Sequence, residues 1–289
     1  MTLKQCRDFS FRKLKELYQD DREAGAILRL WLTERLQMSA SDLVLHAETQ
    51  LTDQQSEKLD LDFHRLMNGE PVQYILGVSE FVGLKLQVNT NVLIPRPETE
   101  ELVAWVLEEN LSKHTHLLLD ACTGSGCVAL ALKSKLLLSQ LWAFDKSEKA
   151  LQVARSNAAN LGLNVEFFAL DLLKEILPME DQEFDVIVSN PPYLSATKDR
   201  FEIDDSVWDH EPQMAIVVEG DDPIIFYRRL STMAKKHLSK TGKMYVEIAP
   251  QYADAIHEMW TEEGWQFIET RSDINGKQRF MSANSIETD

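Results

Sequence analysis

The sequence predicts an α/β protein: a doubly wound, mostly parallel seven-stranded sheet with an antiparallel C-terminal strand, preceded by a small helical domain and a β-hairpin. Three observations carry this. From residue 96 onward, short apolar runs alternate with segments of helical period, the pattern that lays helices on both faces of a parallel sheet. Before residue 75 the apolar residues recur only at helical spacing, as on the buried stripe of a helix packed in a bundle. Between the two, "SEFVGLKLQVNTNVLIP" alternates with period two around a turn-rich "NTN", which reads as a hairpin. The expected domains are therefore 1–75, a hairpin linker at 76–95, and 96–289.

In "REAGAILRLWLTERL", residues Ala24, Ile27, Leu28, Trp31 and Leu32 form one apolar face. "SASDLVLHAET" and "LTDQQSEKLDLDFHRLMNG" continue in helical style. Thr52 and Gln55 stand at capping-box spacing, and Gly69 suits a helix stop. In the second part "HLLLDA", "LWAFD", "NVEFF", "FDVIVSN" and "GKMYVEIA" read as strands. The helices between and after them are "GCVALALKSKLL", "SEKALQVARSNAANLG" with Ser147 as cap and Gly162 as stop, "PIIFYRRLSTMAKKHLS" and "YADAIHEMW". "WQFIETR" and "QRFMSA" close the sheet as an antiparallel pair.

The chain has 289 residues, 44% hydrophobic and 27% charged, ample for one large or two smaller cores. No apolar run reaches the length of a membrane span, and the charged start "MTLKQCRDFSFRKLKEL" lacks the apolar centre of a secretory signal. Three cysteines, Cys6, Cys122 and Cys127, do not make a disulfide framework. Cytoplasmic residence is the expectation. A net charge of −17 argues against binding nucleic acid chiefly through phosphates. The basic run "RRLSTMAKKHLSK" reads as the solvated face of a helix. His114 and His116 flank a strand start with no third ligand in view, and His210 stands between acids, so all three read as loop residues.

In such sheets ligands bind beyond the carboxyl ends of the strands. Four candidate groups lie there. After the first strand comes Asp120-Ala121-Cys122-Thr123-Gly124-Ser125-Gly126, whose glycines permit a tight turn and close approach to a ligand. It lacks Gly-Lys-Ser/Thr, so it is not a Walker loop; a plain strand-to-helix turn is the competing reading. Asp145 ends the next strand, about 20 residues on, where an acid accepts from both ribose hydroxyls. Asp171 and Leu172 follow the third strand. Asp171 suits the exocyclic amine of an adenine, or equally a cap.

The fourth strand ends at Asn190-Pro191-Pro192-Tyr193. Two prolines fix φ and remove two donors, and the residue before each is extended. Backbone carbonyls are thereby left as acceptors at the strand end. Asn190 adds a side-chain carbonyl and Tyr193 an aromatic wall. The set suits a planar group bearing an NH2.

This tetrapeptide, with the glycine loop and the strand-two acid, resembles the S-adenosylmethionine-dependent amino-methyltransferases. "PVQYILG", "SEFVGLKLQV", "LIPRPETEELV", "HEPQMAI…EGDDPIIFYRRL" and "DINGKQRF", spread over nearly the whole chain, resemble one member family: the peptide chain release factor glutamine N5-methyltransferases. The resemblance implies a Rossmann-like class I methyltransferase domain and S-adenosyl-L-methionine as cofactor. The implied partner is a class I release factor carrying a Gly-Gly-Gln loop, with no direct nucleic-acid or membrane partner and a monomeric enzyme. It implies that Asp120, Cys122, Thr123, Gly124, Ser125, Gly126, Asp145, Asp171, Leu172 and Asn190 hold the cofactor. Asn190, Pro191, Pro192 and Tyr193 would be catalytic, Phe81, Pro97 and Glu98 would line the glutamine pocket, and the loop 95–100 would border the active site. Glu98 or Thr99 also reads as a cap for the helix that follows.

Cys122 replaces a common glycine, Leu172 a frequent aromatic, and "VVEGDDP" and "EIAPQ" depart from the usual runs. Two other classes stay open: a DNA or RNA base methyltransferase acting on a flipped base, and a non-catalytic nucleotide-binding or dinucleotide module.

Overall fold

The computed structural model describes residues 1–111, 116–179, 181–195, 199–202, 204–220 and 222–284. They form two compact units: Met1–Val78 with Asp205–His210, and Ser79–Asp204 with Glu211–Asp289.

The first unit contains α1 (Leu3–Tyr18), α2 (Asp21–Leu36), α3 (Ala40–Leu45), α4 (Asp53–Met67) and α5 (Val72–Leu76). Each of the first four starts at a side chain that satisfies free N–H groups: Thr2, Asp20, Ser39 and Thr52. The capping box of Thr52 with Gln55 is present as its spacing predicts. Helix α4 ends at Asn68, and Gly69 follows with φ +78. Ala24, Leu28, Trp31 and Leu32 are buried with Leu14 and Leu66, and Ile27 packs against them half-buried. Asp62 is buried in this core; Trp31 Nε1 donates to it at 3.0 Å, and Arg35 forks onto both its oxygens.

The second unit opens with a hairpin, β1 (Val78–Phe81) and β2 (Leu84–Gln87). Its turn is Val82-Gly83, not the expected "NTN". Both turn residues take positive φ, 49° and 73°, as a two-residue hairpin turn demands. Glu100 accepts the Val82 N–H at 2.9 Å and holds the unfavourable valine conformation. Phe81 and Leu86 are fully buried beside Leu102 and Val106, so the hairpin is built into this unit's core.

There follow α6 (Pro97–Asn110), β3 (Leu117–Ala121), α7 (Cys127–Lys135), β4 (Gln140–Asp145), α8 (Glu148–Leu161), β5 (Glu166–Ala169), β6 (Phe184–Ser189) and β7 (Leu194–Ser195). The remaining elements are α9 (Asp205–His210, grouped with the first unit), β8 (Val217–Val218), α10 (Ile225–His237), β9 (Leu238–Glu247), α11 (Ala253–Glu262), β10 (Gln266–Ser272) and β11 (Gln278–Asn284). The main sheet has the order β10-β11-β9-β6-β3-β4-β5. Its β3–β4, β4–β5, β3–β6 and β6–β9 pairs are parallel, and β11 runs antiparallel to both β9 and β10. The short parallel pair of β7 with β8 was not foreseen.

Alternate residues of the central strands enter two cores. Leu119, Phe144, Ile187 and Met244 pack with α10 and α11 on one face. Leu118, Leu141, Val186 and Tyr245 pack with α6 and α7 on the other. Strand β3 has β4 on one side and β6 on the other, so the connections leave it in opposite directions and open a crevice at its carboxyl end.

His116 is buried rather than solvated, with its ring Nε2 3.0 Å from the Asn110 carbonyl. His114 lies outside the described residues. His210 ends α9 instead of standing in a loop.

Candidate active site

The crevice holds a cavity walled by the ends of β3, β4, β5 and β6 and by the start of α6. On the β3 side Asp120 is buried, and its Oδ2 accepts the Thr123 hydroxyl at 2.6 Å and the Ala129 N–H at 3.1 Å. Burial pushes this carboxyl up to about 7, against the pull of those two hydrogen bonds. Asp120 therefore shapes the loop. Asp145 is held from two directions, accepting the Gly124 N–H at 2.9 Å on Oδ2 and the Ser147 N–H at 2.8 Å on Oδ1. Each oxygen keeps a lone pair for a further donor.

Cys122 takes φ +60, in the left-handed region. A glycine would take that conformation without the strain a Cβ brings. Burial, with the Asp145 and Asp120 charges, pushes its thiol well up. Gly124 has φ +55, and a Cβ there would meet no protein atom within 4 Å: the loop backbone is bare toward the cavity it lines. Ser125 Oγ, in the same wall, is buried without a hydrogen-bond partner. Gly126 stands behind the wall. A Cβ there would lie 3.1 Å from Ala154 Cβ, so this glycine serves the packing of α7 on α8.

Beyond β5, Leu170, Asp171, Leu172 and Leu173 line the cavity. Asp171 accepts the Leu173 N–H at 3.1 Å and lies 3.3 Å from Lys146 and 3.7 Å from Lys174. No helix follows it, so it closes a turn rather than capping. The Leu172 carbonyl accepts from Arg229 Nε at 3.0 Å, which fixes that turn.

At the end of β6, Ser189 Oγ donates to the Ala121 carbonyl at 2.8 Å and ties this strand end to the glycine loop. Asn190 and Pro192 line the cavity. Asn190 Nδ2 donates to Thr99 Oγ1 at 3.1 Å, and Thr99 donates to Glu247 Oε2 at 2.7 Å. Tyr193 donates to Glu247 Oε1 at 3.3 Å. Burial pushes the Glu247 carboxyl up to about 7, partly opposed by the Thr99 hydrogen bond and the Arg279 charge. The loop before α6 is strapped by Glu211, which accepts from Arg96 Nη2 at 2.6 Å and from the Ile94 N–H at 3.1 Å.

The expected residues Asp120, Cys122, Thr123, Gly124, Ser125, Asp145, Asp171, Leu172, Asn190 and Pro192 thus meet in one wall. Six others do not reach it, Gly126 behind the wall among them. Phe81, expected in the glutamine pocket, is 0% exposed inside the hairpin's core cluster. Pro97 and Glu98 sit in the first turn of α6, and Pro95, Arg96 and Thr99 face the cavity instead. Neither Glu98 nor Thr99 caps that helix; its N-cap is Arg96, with no side-chain cap bond. Pro191 is buried behind the wall, and Tyr193 is turned to Glu247. Pro95, Arg96 and Thr99 lie in the stretch 95–100 expected to border the site, whereas Glu211 and Glu247 were missed as site residues. A signal existed for Glu247, a lone acid inside the apolar run "MYVEIA".

Two domain families match the chain: a PrmC N-terminal domain over residues 7–77 and a methyltransferase small domain over 101–213. A "release factor glutamine methyltransferase" of Flavobacterium psychrophilum is 36% identical over 289 residues, covering 98% of this chain and 99% of the relative. One of Bacteroides thetaiotaomicron is 35% identical over 273 residues, covering 94% and 96%. The chain belongs to the release factor glutamine methyltransferase family. Its fold is the class I methyltransferase fold, shared with a solved methyltransferase from Pyrococcus furiosus at TM-score 0.52, 18% identity, and coverage of 71% of this chain and 90% of that one. In this member of the family the wall residues fit S-adenosylmethionine. Asp145 keeps two lone pairs for a ribose, the Gly124 backbone is bare, and the orphaned Ser125 hydroxyl awaits a polar partner.

Proposed function

We propose that this chain methylates the side-chain amide nitrogen (N5) of the glutamine in the Gly-Gly-Gln motif of class I peptide chain release factors, using S-adenosyl-L-methionine, as a monomer in the cytoplasm. Family membership supplies the reaction. The observation that carries the amide as acceptor is Asn190, whose side chain stands in the same wall as Asp145 and the glycine loop with its NH2 already engaged by Thr99.

When bound, the cofactor supplies a methyl sulfonium, an electrophile with a neutral leaving group. An amide nitrogen is a weak nucleophile, so the chain's task is alignment of nitrogen, methyl and sulfur. The Asn190 Oδ1 accepts an amide hydrogen, holds the nitrogen and draws electron density toward it. The N–C bond forms as the C–S bond breaks. The methylated amide would then give up one proton to solvent water, being acidic enough to need no strong base. Asp145 holds the ribose, and Asp171 with Leu172 borders the adenine. The helical unit and the hairpin supply contacts for the release factor.

The test is transfer of labelled methyl from S-adenosylmethionine to an intact release factor, to the same factor with its motif glutamine changed to asparagine, and to transfer RNA and DNA. Label is expected in the unaltered factor alone. Label in nucleic acid, or none in the unaltered factor, overturns the reading.

A further inference from the structure

Asn190 is an amide, and its two ends are nearly equal in shape and opposite in chemistry. Only the orientation with Oδ1 toward the acceptor can receive a hydrogen from an NH2; the flipped amide would meet that NH2 with a donor. Nothing in Asn190 itself chooses between them. Thr99 has one hydroxyl hydrogen. Glu247 Oε2 lies 2.7 Å from it; above its titration near pH 7 this carboxylate is ionised and only accepts, so there the hydrogen goes to Glu247. Thr99 Oγ1 then offers only lone pairs to Asn190, and the Asn190 atom 3.1 Å away must be Nδ2. Oδ1 is left on the other side of the amide.

We infer that Thr99 is a positioning residue for methyl transfer, its hydroxyl polarised by Glu247 so that the Asn190 amide presents its oxygen to the acceptor nitrogen. This rests on the function proposed above. The chain of bonds is sheltered: Thr99 is 1% and Glu247 2% exposed. Glu247 is held in turn, by Tyr193 on Oε1 at 3.3 Å and by Tyr227, which donates to its backbone carbonyl at 2.9 Å. The Thr99 and Tyr193 hydroxyl hydrogens both go to Glu247 and one Asn190 Nδ2 hydrogen goes to Thr99, so reversing the amide would leave Thr99 Oγ1 and Asn190 Oδ1 facing each other with no hydrogen between them. An apolar residue of the same shape at 99 would remove this choice and leave the packing.

The test compares wild type, Thr99→Val and Thr99→Ser in kcat and KM for a release factor, with cofactor Kd by calorimetry. Thr99→Val is expected to lower kcat by about 10- to 100-fold, with cofactor Kd and release factor KM within about 2-fold of wild type. Thr99→Ser restores the hydroxyl and is expected within about 5-fold of wild-type kcat. An unchanged kcat in Thr99→Val, a parallel loss of cofactor affinity, or a serine variant as poor as the valine one overturns the inference. In wild type, one Nδ2 proton of Asn190, assigned by its absence in Asn190→Ala, should exchange with solvent far more slowly than an exposed side-chain amide. Fast exchange of both protons overturns the inference whether or not the variants fold. A wild-type chain that labels no release factor overturns the function itself, and this inference with it.

Discussion

Each of the two units buries a carboxylate, and the two are treated in opposite ways. In the helical unit Asp62 accepts from Trp31 and from both arms of Arg35, whose Nη2 also donates to the Ile75 carbonyl at 2.6 Å. In the α/β unit Glu247 accepts from two hydroxyls, Thr99 and Tyr193. Charge meets charge in the first case, so the pair is a fixture of the core, costly to break. In the second the carboxylate is poised: burial pushes it up to about 7, and its hydrogen-bond chain ends on a cavity wall. The difference separates a structural acid from one that serves a site.

Asn190 and Asp62 carry the largest expected effects. Asn190→Ala should cut transfer by about 10²- to 10³-fold, the scale of losing one preorganised polar contact to the reacting group, while cofactor Kd by calorimetry stays near wild type. Equal loss of both would contradict the role given to Asn190. Asp62→Ala should do the reverse. It strands the Arg35 charge and the Trp31 N–H, at about 3 kcal/mol of stability for the helical unit, read by urea unfolding. A loss below about 1 kcal/mol would mean the pair is not the fixture described.

Glu247 sharpens the contrast through pH. Its folded value of about 7 lies above the unfolded carboxylate range, so the native state binds the extra proton. Its contribution to stability is full at acid pH and is lost as pH rises through 7. Between pH 5.5 and 8 this amounts to roughly 2 kcal/mol. Glu247→Gln should flatten that part of the urea-unfolding profile and leave the like-signed share of Asp120. An unchanged slope would mean that Glu247 does not bind that extra proton in the native state. The smallest effect is expected at Cys122. Relief of its φ of +60 in Cys122→Gly should raise stability by about 0.5 kcal/mol, seen as a higher melting temperature; a lower one would show that the side chain's packing outweighs its backbone strain.

Much of the fold was legible because burial of a strand or a helix stripe leaves a period in the sequence. The capping box at Thr52, the stop at Gly162 and the antiparallel ending came from local rules of the same kind. The hairpin turn was misread because Asn-Thr-Asn carries the stronger turn chemistry, whereas Val82 is held at φ +49 by Glu100, a residue 18 positions away. Phe81 was expected at the pocket because the resemblance placed it there; in the fold its alternation sends it to the core.

The class of sheet, the strand ends where ligand groups collect, and the family are written in the amino-acid order alone, because these rest on periodicity and on contiguous runs such as "LIPRPETEELV" and "VSNPPY". Only the tertiary structure decided which face each group shows. Thr99, Asn190 and Glu247 lie on three separate elements, 91 and 148 residues from one another along the Thr99 bonds. A hydrogen bond fixes direction only when both partners are in place, and no local pattern encodes that.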